Sequence, residues 1–284
     1  MNVFDTIKET NKTISELKKQ GKTIGFVPTM GALHNGHLQL VKQSINDNDV
    51  TVVSIFVNPI QFNNPDDLEK YPRTLENDLQ KLKEVGCDIV FTPGESEMYP
   101  EGKPQEIIYH FGKLEQVMEG KHRPGHFNGV AIVVKRLFEI TQPHNAYFGE
   151  KDYQQLKIIQ ALVKQENLSV NIVPCAIVRE PNGLAMSSRN ERLSAEERQK
   201  AAVIYQTLQE IKQQYNERKP KEWEEYFTDK INAVSPFRVE YLTFADAETL
   251  QPVSEWNEAE KIRAFASVYC NDVRLIDNIP VNYP

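Results

Sequence analysis

Two histidines, His34 and His37, stand three residues apart around Asn35-Gly36, just after a short apolar run, Thr23 to Val27, and the turn Pro28-Thr29-Met30-Gly31. The helical spacing of Leu38, Val41 and Ile45 places the second histidine at or near a helix N-terminus. The first backbone N–H groups of a helix have no partners within it, so such an end attracts anions. Imidazoles at the same place add further donors. The chemistry that fits first is binding of a nucleoside triphosphate. A structural or surface histidine pair and a zinc pair are the other readings. The second close pair, His122 and His126, is broken by Pro124-Gly125 and does not share a helix face, and no nearby Cys or Glu completes a zinc set. The phosphate reading leads.

Three other groups carry suitable chemistry. Met186-Ser187-Ser188-Arg189-Asn190 places two hydroxyls and a guanidinium in one short stretch. Such a stretch is either an ordinary loop or helix cap, or a clamp for phosphate oxygens through charge-assisted hydrogen bonds. In Gly149-Glu150-Lys151-Asp152, the glycine permits close approach of backbone to a nucleotide and Lys151 is a phosphate partner. Asp152 reads as the N-cap of a helix starting near Tyr153, with a ligand or Mg²⁺ contact compatible with that role. Asn58-Pro59-Ile60-Gln61-Phe62 and Gln154-Gln155 supply amides, which both donate and accept and suit a substrate bearing hydroxyl and carboxylate groups. Each of these amide stretches, taken alone, reads first as surface loop.

The elements that must position these groups are predicted from periodicity. Residues 3–19 form an amphipathic helix, with Val3, Ile7, Ile14 and Leu17 on one stripe. A strand over 23–27, stopped by Pro28, leads to a helix over about 36–47. Val50 to Val57 is nearly continuous in apolar and β-branched residues, as in a strand buried on both faces. Asn58 to Arg73 holds three prolines and is expected to be a long exposed loop, of the kind that is usually functional or disordered. A helix over 75–85, a strand over 88–92, a helix over 129–140, a strand over 145–148, a helix over 153–165 and a buried strand over 170–178 follow. Strands alternating with helices imply an α/β fold, a Rossmann-like doubly wound parallel sheet. His34/His37, Asn58/Gln61, Gly149–Asp152 and Arg179–Arg189 each follow a predicted strand, and so belong to its C-terminal edge, where such sheets bind ligands. Beyond residue 179 come two polar helices over 195–233, packed through Trp223, Tyr226 and Phe227, then strands over 238–245, 261–270 and 273–276. The expected domains are therefore 1–178, catalytic, and 179–284, a smaller α+β lid.

Charge and cysteine usage narrow the class. The formal charge of −7 is spread evenly, with 19 basic and 22 acidic residues in 1–178 and 14 and 18 in the remainder. No basic face emerges, which argues against a nucleic-acid partner. No run approaches the roughly 20 apolar residues of a membrane span, and Met1–Asp5 lacks the features of a secretory leader. Cys87, Cys175 and Cys270 are odd in number and in no C-x-x-C pair, so neither a disulfide framework nor structural zinc is expected. A cytoplasmic setting follows.

Seven stretches in order then resemble one family. They are Val27–His37, Phe56–Phe62, Tyr71-Pro72-Arg73-Thr74, Arg123-Pro124-Gly125-His126-Phe127, Gly149–Gln155, Arg179-Glu180 through Met186–Asn190, and Arg274-Leu275-Ile276-Asp277-Asn278. Together they are similar to the pantothenate synthetase (pantoate–β-alanine ligase) family, across nearly the whole chain. The histidine and Met-Ser-Ser-Arg motifs alone would indicate only the nucleotidyltransferase superfamily. Ile60, Lys121-His122 and Val273 depart from the family pattern without removing a polar group assigned to chemistry.

The resemblance implies an ATP-dependent ligase that condenses pantoate with β-alanine through a pantoyl-adenylate, releasing pyrophosphate and AMP. It implies that His37, His34, Lys151 and Arg189 are catalytic, with His37 usually assigned as a proton donor and better regarded as an electrostatic stabiliser. ATP would meet Met30, Gly31, Ala32, Leu33, His34, Asn35, Gly36, His37, Gly149, Glu150, Lys151, Asp152, Val178, Met186, Ser187, Ser188 and Arg189. Pantoate would meet Gln61 and Gln155, and β-alanine Gln61, with Asn58 and Tyr71 nearby. Mg²⁺ is expected on the ATP phosphates rather than on protein ligands, and a homodimer is expected from the family. The rival functions are a nucleotidyltransferase that forms no amide and a non-catalytic nucleotide-binding module.

Overall fold

The computed structural model describes residues 1–63, 65–104 and 106–283. Six strands, β1 (Asn2–Phe4), β2 (Ile24–Thr29), β3 (Val50–Ile55), β4 (Ile89–Phe91), β5 (Asn145–Gly149) and β6 (Asn171–Cys175), form one sheet. Their order is β1-β4-β3-β2-β5-β6, and every pairing is parallel. The chain steps outward from β2 through β3 and β4, then reverses to β5 and β6. β2 and β5 thus flank the switch point of a Rossmann-like sheet, beyond whose strand ends ligands bind. Ile24, Phe26, Val27, Val52, Val53, Val90, Phe91 and Ala146 are fully buried, which accounts for the unbroken apolar reading of the central strands.

Helices Ile7–Lys19, Asn35–Asp47, Leu75–Glu84, His126–Thr141 and Tyr153–Gln165 match the periodicity within a few residues. Gly25 is required for close packing in the middle of β2, because a Cβ there would lie 2.2 Å from Ser44 Oγ and 2.5 Å from Asn48 Nδ2.

Four expectations are corrected. Residues 2–4 are a strand paired with β4, not the first turn of the helix, which starts at Ile7 and is capped by Thr6. Pro28 does not stop β2. The carbonyls of Thr23 and Thr29 both bond to the β3 side, so by alternation the Pro28 nitrogen faces β5, whose pairing with β2 ends at Phe26. The ladder needs no N–H at that point. The segment from Asn58 to Arg73 is not simply an exposed loop: it contains a 3₁₀ turn, Pro59–Gln61, and a short helix, Pro65–Glu69, and buries Asn58, Gln61 and Tyr71. Finally, β6 is an edge strand with exposed Asn171 and Pro174 rather than a buried one.

The chain packs as two units, the first Met1–Phe111, Arg123–Glu150 and Gln155–Ala176, the second Gly112–His122, Lys151–Gln154 and Ile177–Pro284. The second contains an antiparallel sheet of β7 (Phe237–Asp246), β8 (Ile262–Cys270) and β9 (Val273–Pro280), in that order. Helices Ala202–Gln214 and Pro220–Asn232 share its core, with Leu208, Ile211, Trp223, Phe227 and Ile231 meeting Phe244, Ala264 and Val268. Trp223 and Phe227 are the buried anchors expected of them, while Tyr226 is half-buried and hydrogen-bonded to Glu210. The three cysteines are free and buried, and desolvation pushes their thiols up, to about 12 for Cys87 and about 11 for Cys175 and Cys270. Thiols held protonated in this way are inert.

Candidate functional site

The turn after β2 is fixed before any ligand arrives. Thr29 Oγ1 donates to Ser54 O at 2.7 Å and accepts from Gly31 N at 3.2 Å. Gly31 and Ala32 then take positive φ, +82° and +50°. Glycine suits the first position, where an added Cβ would sit 3.1 Å from both Asp78 Oδ2 and Ile55 Cγ2. At Ala32 the left-handed conformation costs roughly 1 kcal/mol, and a buried carboxylate offsets it. Asp78 accepts from Ala32 N at 2.9 Å, Leu33 N at 2.8 Å and Thr74 Oγ1 at 3.2 Å. Leu33 itself is buried in the core, and its carbonyl receives Lys81 Nζ at 2.6 Å.

The two histidines follow as N-cap and third residue of helix Asn35–Asp47. His34 Nδ1 accepts from Gly36 N at 3.1 Å, and His37 Nδ1 accepts from His34 N at 3.4 Å. The rings lie 4.1 Å apart between centroids, tilted by 34°. An imidazole that accepts at Nδ1 carries its proton on Nε2 when neutral, so both rings present Nε2–H donors. This corrects the picture of an uncovered helix end. The Gly36 N–H is taken by the histidine that precedes it, and the donors offered from this end include imidazole N–H groups as well as backbone.

A buried amide cluster lies in the same unit. Asn58, 1% exposed, accepts from Tyr99 OH at 2.8 Å and donates to Gln61 Oε1 and to Gly129 O, each at 3.1 Å. With Oε1 thus engaged, Gln61 turns its Nε2 to Met30 Sδ, 3.0 Å away, on the turn that carries the histidines. Buried His126 holds the Gln61 carbonyl through Nδ1 at 2.8 Å. Gly129 allows its helix to press on this segment, since a Cβ there would lie 2.4 Å from Ile60 O. Gln155, on helix Tyr153–Gln165, is half-buried in the same unit. Tyr71 is buried with its ring edge-on to Phe62 at 5.8 Å.

The second unit carries the other group. Met186 N donates to Val178 O at 3.0 Å and Glu180 N to Leu184 O at 2.8 Å, closing a tight hairpin over 178–186 that brings Val178 and Met186 together. Its turn is Gly183, at φ +95°, where a Cβ would strike the Tyr205 ring at 2.5 Å. Ser187 then caps the 3₁₀ turn Ser188–Arg192 by accepting from Arg189 N at 3.3 Å. Asn190 donates to Ala185 O and to Glu180 Oε1, and Glu180 Oε2 receives Arg198 Nε at 2.7 Å. Lys151 Nζ lies 3.6 Å from Asp152 Oδ1. Helix Tyr153–Gln165 is entered through a 3₁₀ turn, Glu150–Asp152.

Gln154 is not a ligand-facing amide. It is 4% exposed, and it donates to Leu114 O and Val117 O while accepting from Glu119 N, so it anchors the 112–122 segment. Glu119 from that segment meets Arg274 through two bonds, 2.5 and 2.6 Å, and Arg274 also donates to Glu240 at 2.6 and 2.8 Å. Tyr241 OH donates to Glu119 at 2.7 Å, and burial together with that carboxylate pushes its hydroxyl well up. His122, one of the departures from the family pattern, stacks on Tyr241 at 5.4 Å with Nδ1 3.4 Å from Glu240.

Sequence reasoning missed Asp78 and Tyr99 altogether. Asp78 carried one readable signal, an acidic residue on the otherwise apolar face of its helix, four residues after Thr74. Tyr99 carried none, because it follows a four-residue helix in a stretch without periodicity.

Comparison with known proteins now adds a second line. Residues 2–280 match the model of the family described as pantoate-beta-alanine ligase. A pantothenate synthetase of Bacteroides fragilis is 51% identical over 279 residues, covering 98% of each chain. One from Flavobacterium psychrophilum is 50% identical over 280 residues, 98% of this chain and 99% of its own. Among solved structures, a Thermus thermophilus pantothenate synthetase superposes with TM-score 0.91 at 42% identity over 100% of both chains. A Francisella tularensis pantoate-beta-alanine ligase, complexed with beta-gamma ATP and beta-alanine, gives TM-score 0.84 at 40% identity over 100% and 99%.

Proposed function

Because this chain belongs to the pantoate–β-alanine ligase family, ATP-dependent carbon–nitrogen ligases, we propose that it makes pantothenate in two half-reactions through a pantoyl-adenylate. A pantoate carboxylate oxygen attacks the α-phosphorus of ATP, the bond to the β-phosphate oxygen breaks, and pyrophosphate leaves. The amine of β-alanine then attacks the acyl carbon, the bond to the phosphate oxygen breaks, AMP leaves, and the amine's surplus proton passes to solvent. Both steps depend on positioning and on stabilising charge on phosphate oxygens, more than on proton transfer.

The observation that carries this reading is the orientation of His34 and His37. Their Nδ1 atoms accept from the backbone N–H groups of His34 and Gly36 at the start of helix Asn35–Asp47, which supports Nε2–H as the donor each ring turns to phosphate. Met30 to His37, with Gly149 and Glu150, are the nucleotide residues of the first unit, and Lys151, Asp152, Val178, Met186, Ser187, Ser188 and Arg189 those of the second. Gln61 and Gln155 hold pantoate, and Gln61 also serves β-alanine. Leu33 takes part through its backbone, its side chain being in the core. Mg²⁺, entering with ATP on the phosphate oxygens, would supply neutralisation of their charge. The exposed carboxylate of Asp152, beside Lys151, is suited to meet the water shell of that ion.

The domain roles, catalytic for 1–178 and lid for 179–284, belong to the same reading, as do a cytoplasmic setting and a homodimer. Light scattering after gel filtration tests the homodimer, and a monomer would refute it. Pyrophosphate exchange tests the mechanism. It should require pantoate and proceed without β-alanine, whereas AMP release should require both. Exchange without pantoate, or no amide product, would overturn the ligase mechanism in favour of a simple nucleotidyltransferase.

A further inference from the structure

The stretch Arg274–Asn278 lies on β9, and the chemistry above uses none of it. Asp277 and Asn278 are adjacent and therefore face opposite sides of the strand. Both are buried, 6% and 2% exposed. Asp277 accepts two bonds from Arg179, at 2.6 and 2.9 Å, and one from the backbone N of Asn278 at 2.7 Å. Arg179 opens the hairpin that ends at Met186-Ser187. Its guanidinium lies 3.7 Å over the Tyr205 ring and also donates to Gly183 O at 3.1 Å, so the hairpin is gripped at its base and its turn. On the other side, Asn278 Nδ2 donates to the backbone carbonyl of Lys151 at 2.9 Å. Its Oδ1 receives Arg263 Nη1 at 2.5 Å, and Arg263, 4% exposed, lies 4.1 Å over the Tyr153 ring, two residues beyond Lys151.

Two neighbouring side chains on β9, an edge strand of the antiparallel sheet, thus hold two separate segments, one bearing Lys151 and the other leading to Ser187, Ser188 and Arg189. We propose that Asp277 and Asn278 are a positioning pair that sets Lys151 and the Ser187–Arg189 turn in one fixed register, so that their positive groups are preorganised for the nucleotide phosphates. Neither residue touches ligand; each acts through the segment it holds. The proposal rests on the reading above, in which Lys151 and Arg189 contact ATP.

Truncating Asn278 removes the bond to the Lys151 carbonyl together with the acceptor of Arg263. Asn278→Ala should lower kcat roughly ten- to a hundredfold, the range for a displaced catalytic group, and raise the KM for ATP while leaving that for pantoate within twofold. In a Lys151→Ala background the same change should add less than twofold, because there is no ammonium left to misplace. Losses that multiply in the double variant, or a normal Asn278→Ala enzyme beside an impaired Lys151→Ala one, would overturn the positioning role and leave that of Lys151 intact. An unimpaired Lys151→Ala enzyme would overturn the phosphate role of Lys151 and the proposal with it. Should Asn278→Ala fail to fold, Asp277→Asn keeps the shape and loses the charge. Its loss should vanish in an Arg189→Ala background, and a loss that persists there would overturn the pair.

Discussion

The two groups of proposed ATP residues are held in place by different physics. In the first unit the histidines stand on backbone. A left-handed Gly31-Ala32 pair, three bonds to one buried Asp78 and mutual capping within the first turn of a helix leave the turn little freedom. In the second unit Lys151 and Arg189 stand on short 3₁₀ turns, and side chains from elsewhere in the chain brace them, the Asn278 amide at Lys151 and charged pairs around the rest of the unit. Arg179 is paired with Asp277, Glu180 with Arg198, and Arg274 with Glu119 and Glu240. A helix start positions its own donors. A loop must be braced from outside, and in this chain the ion pairs among the braces reach across 18 to 155 residues of sequence.

The largest effect that would sharpen this contrast is Arg274→Met. It strands two largely buried carboxylates and should cost about 3 kcal/mol of stability, the low end for breaking a buried pair because the side chains keep 13–17% exposure. Urea denaturation measures it, and a change within 0.5 kcal/mol would show that the charge network does not brace the unit. His37→Ala comes next. It should lower turnover about a hundredfold or more while costing no more than about 1 kcal/mol of stability for the lost cap on His34 N, and near-normal rates would remove the histidine from the chemistry. Asp78→Asn keeps the shape of the carboxylate but turns one acceptor into a donor facing a backbone N–H. It should destabilise by about 2 kcal/mol, and because the turn carries both histidines, kcat should fall with it. A stable variant of normal kcat would mean the turn holds itself.

Smaller changes probe the amide cluster. Gln155→Ala should raise the KM for pantoate about tenfold, the worth of a good hydrogen bond, while ATP binding measured by calorimetry stays nearly unchanged. A selective loss of ATP binding would refute the assignment. Tyr99→Phe removes one donor from buried Asn58 Oδ1 and should cost about 1 kcal/mol. A larger effect on kcat than on stability would place Tyr99 closer to the reacting groups than the structure does.

What could be read from the chain follows the same division. The parallel sheet, its helices and the His34–His37 turn were legible because period, turn residues and motif lie within a few residues of one another. The 58–73 segment was not, because what buries Asn58 and Gln61 is Tyr99, His126 and Gly129, which come at least 38 residues later. The same holds for Gln154, which reads as an available amide until the 112–122 segment is seen to take all its bonds. Pro28 misled by a general rule, since proline ends a strand only where its nitrogen faces a paired neighbour, and that depends on how far β5 runs alongside.

The path of the chain through the two units has a practical consequence for dissecting the protein. The backbone passes from one unit to the other five times, at 111/112, 122/123, 150/151, 154/155 and 176/177. A fragment ending at 178 would carry Glu119 without Arg274 or Glu240, and Lys151 without Asn278. Its complement would keep Arg274 on Glu240 but leave it without Glu119. Neither piece is expected to act alone, and mixing the two should restore more activity than either gives by itself. Limited proteolysis with retained function is therefore expected to nick surface loops rather than separate the halves.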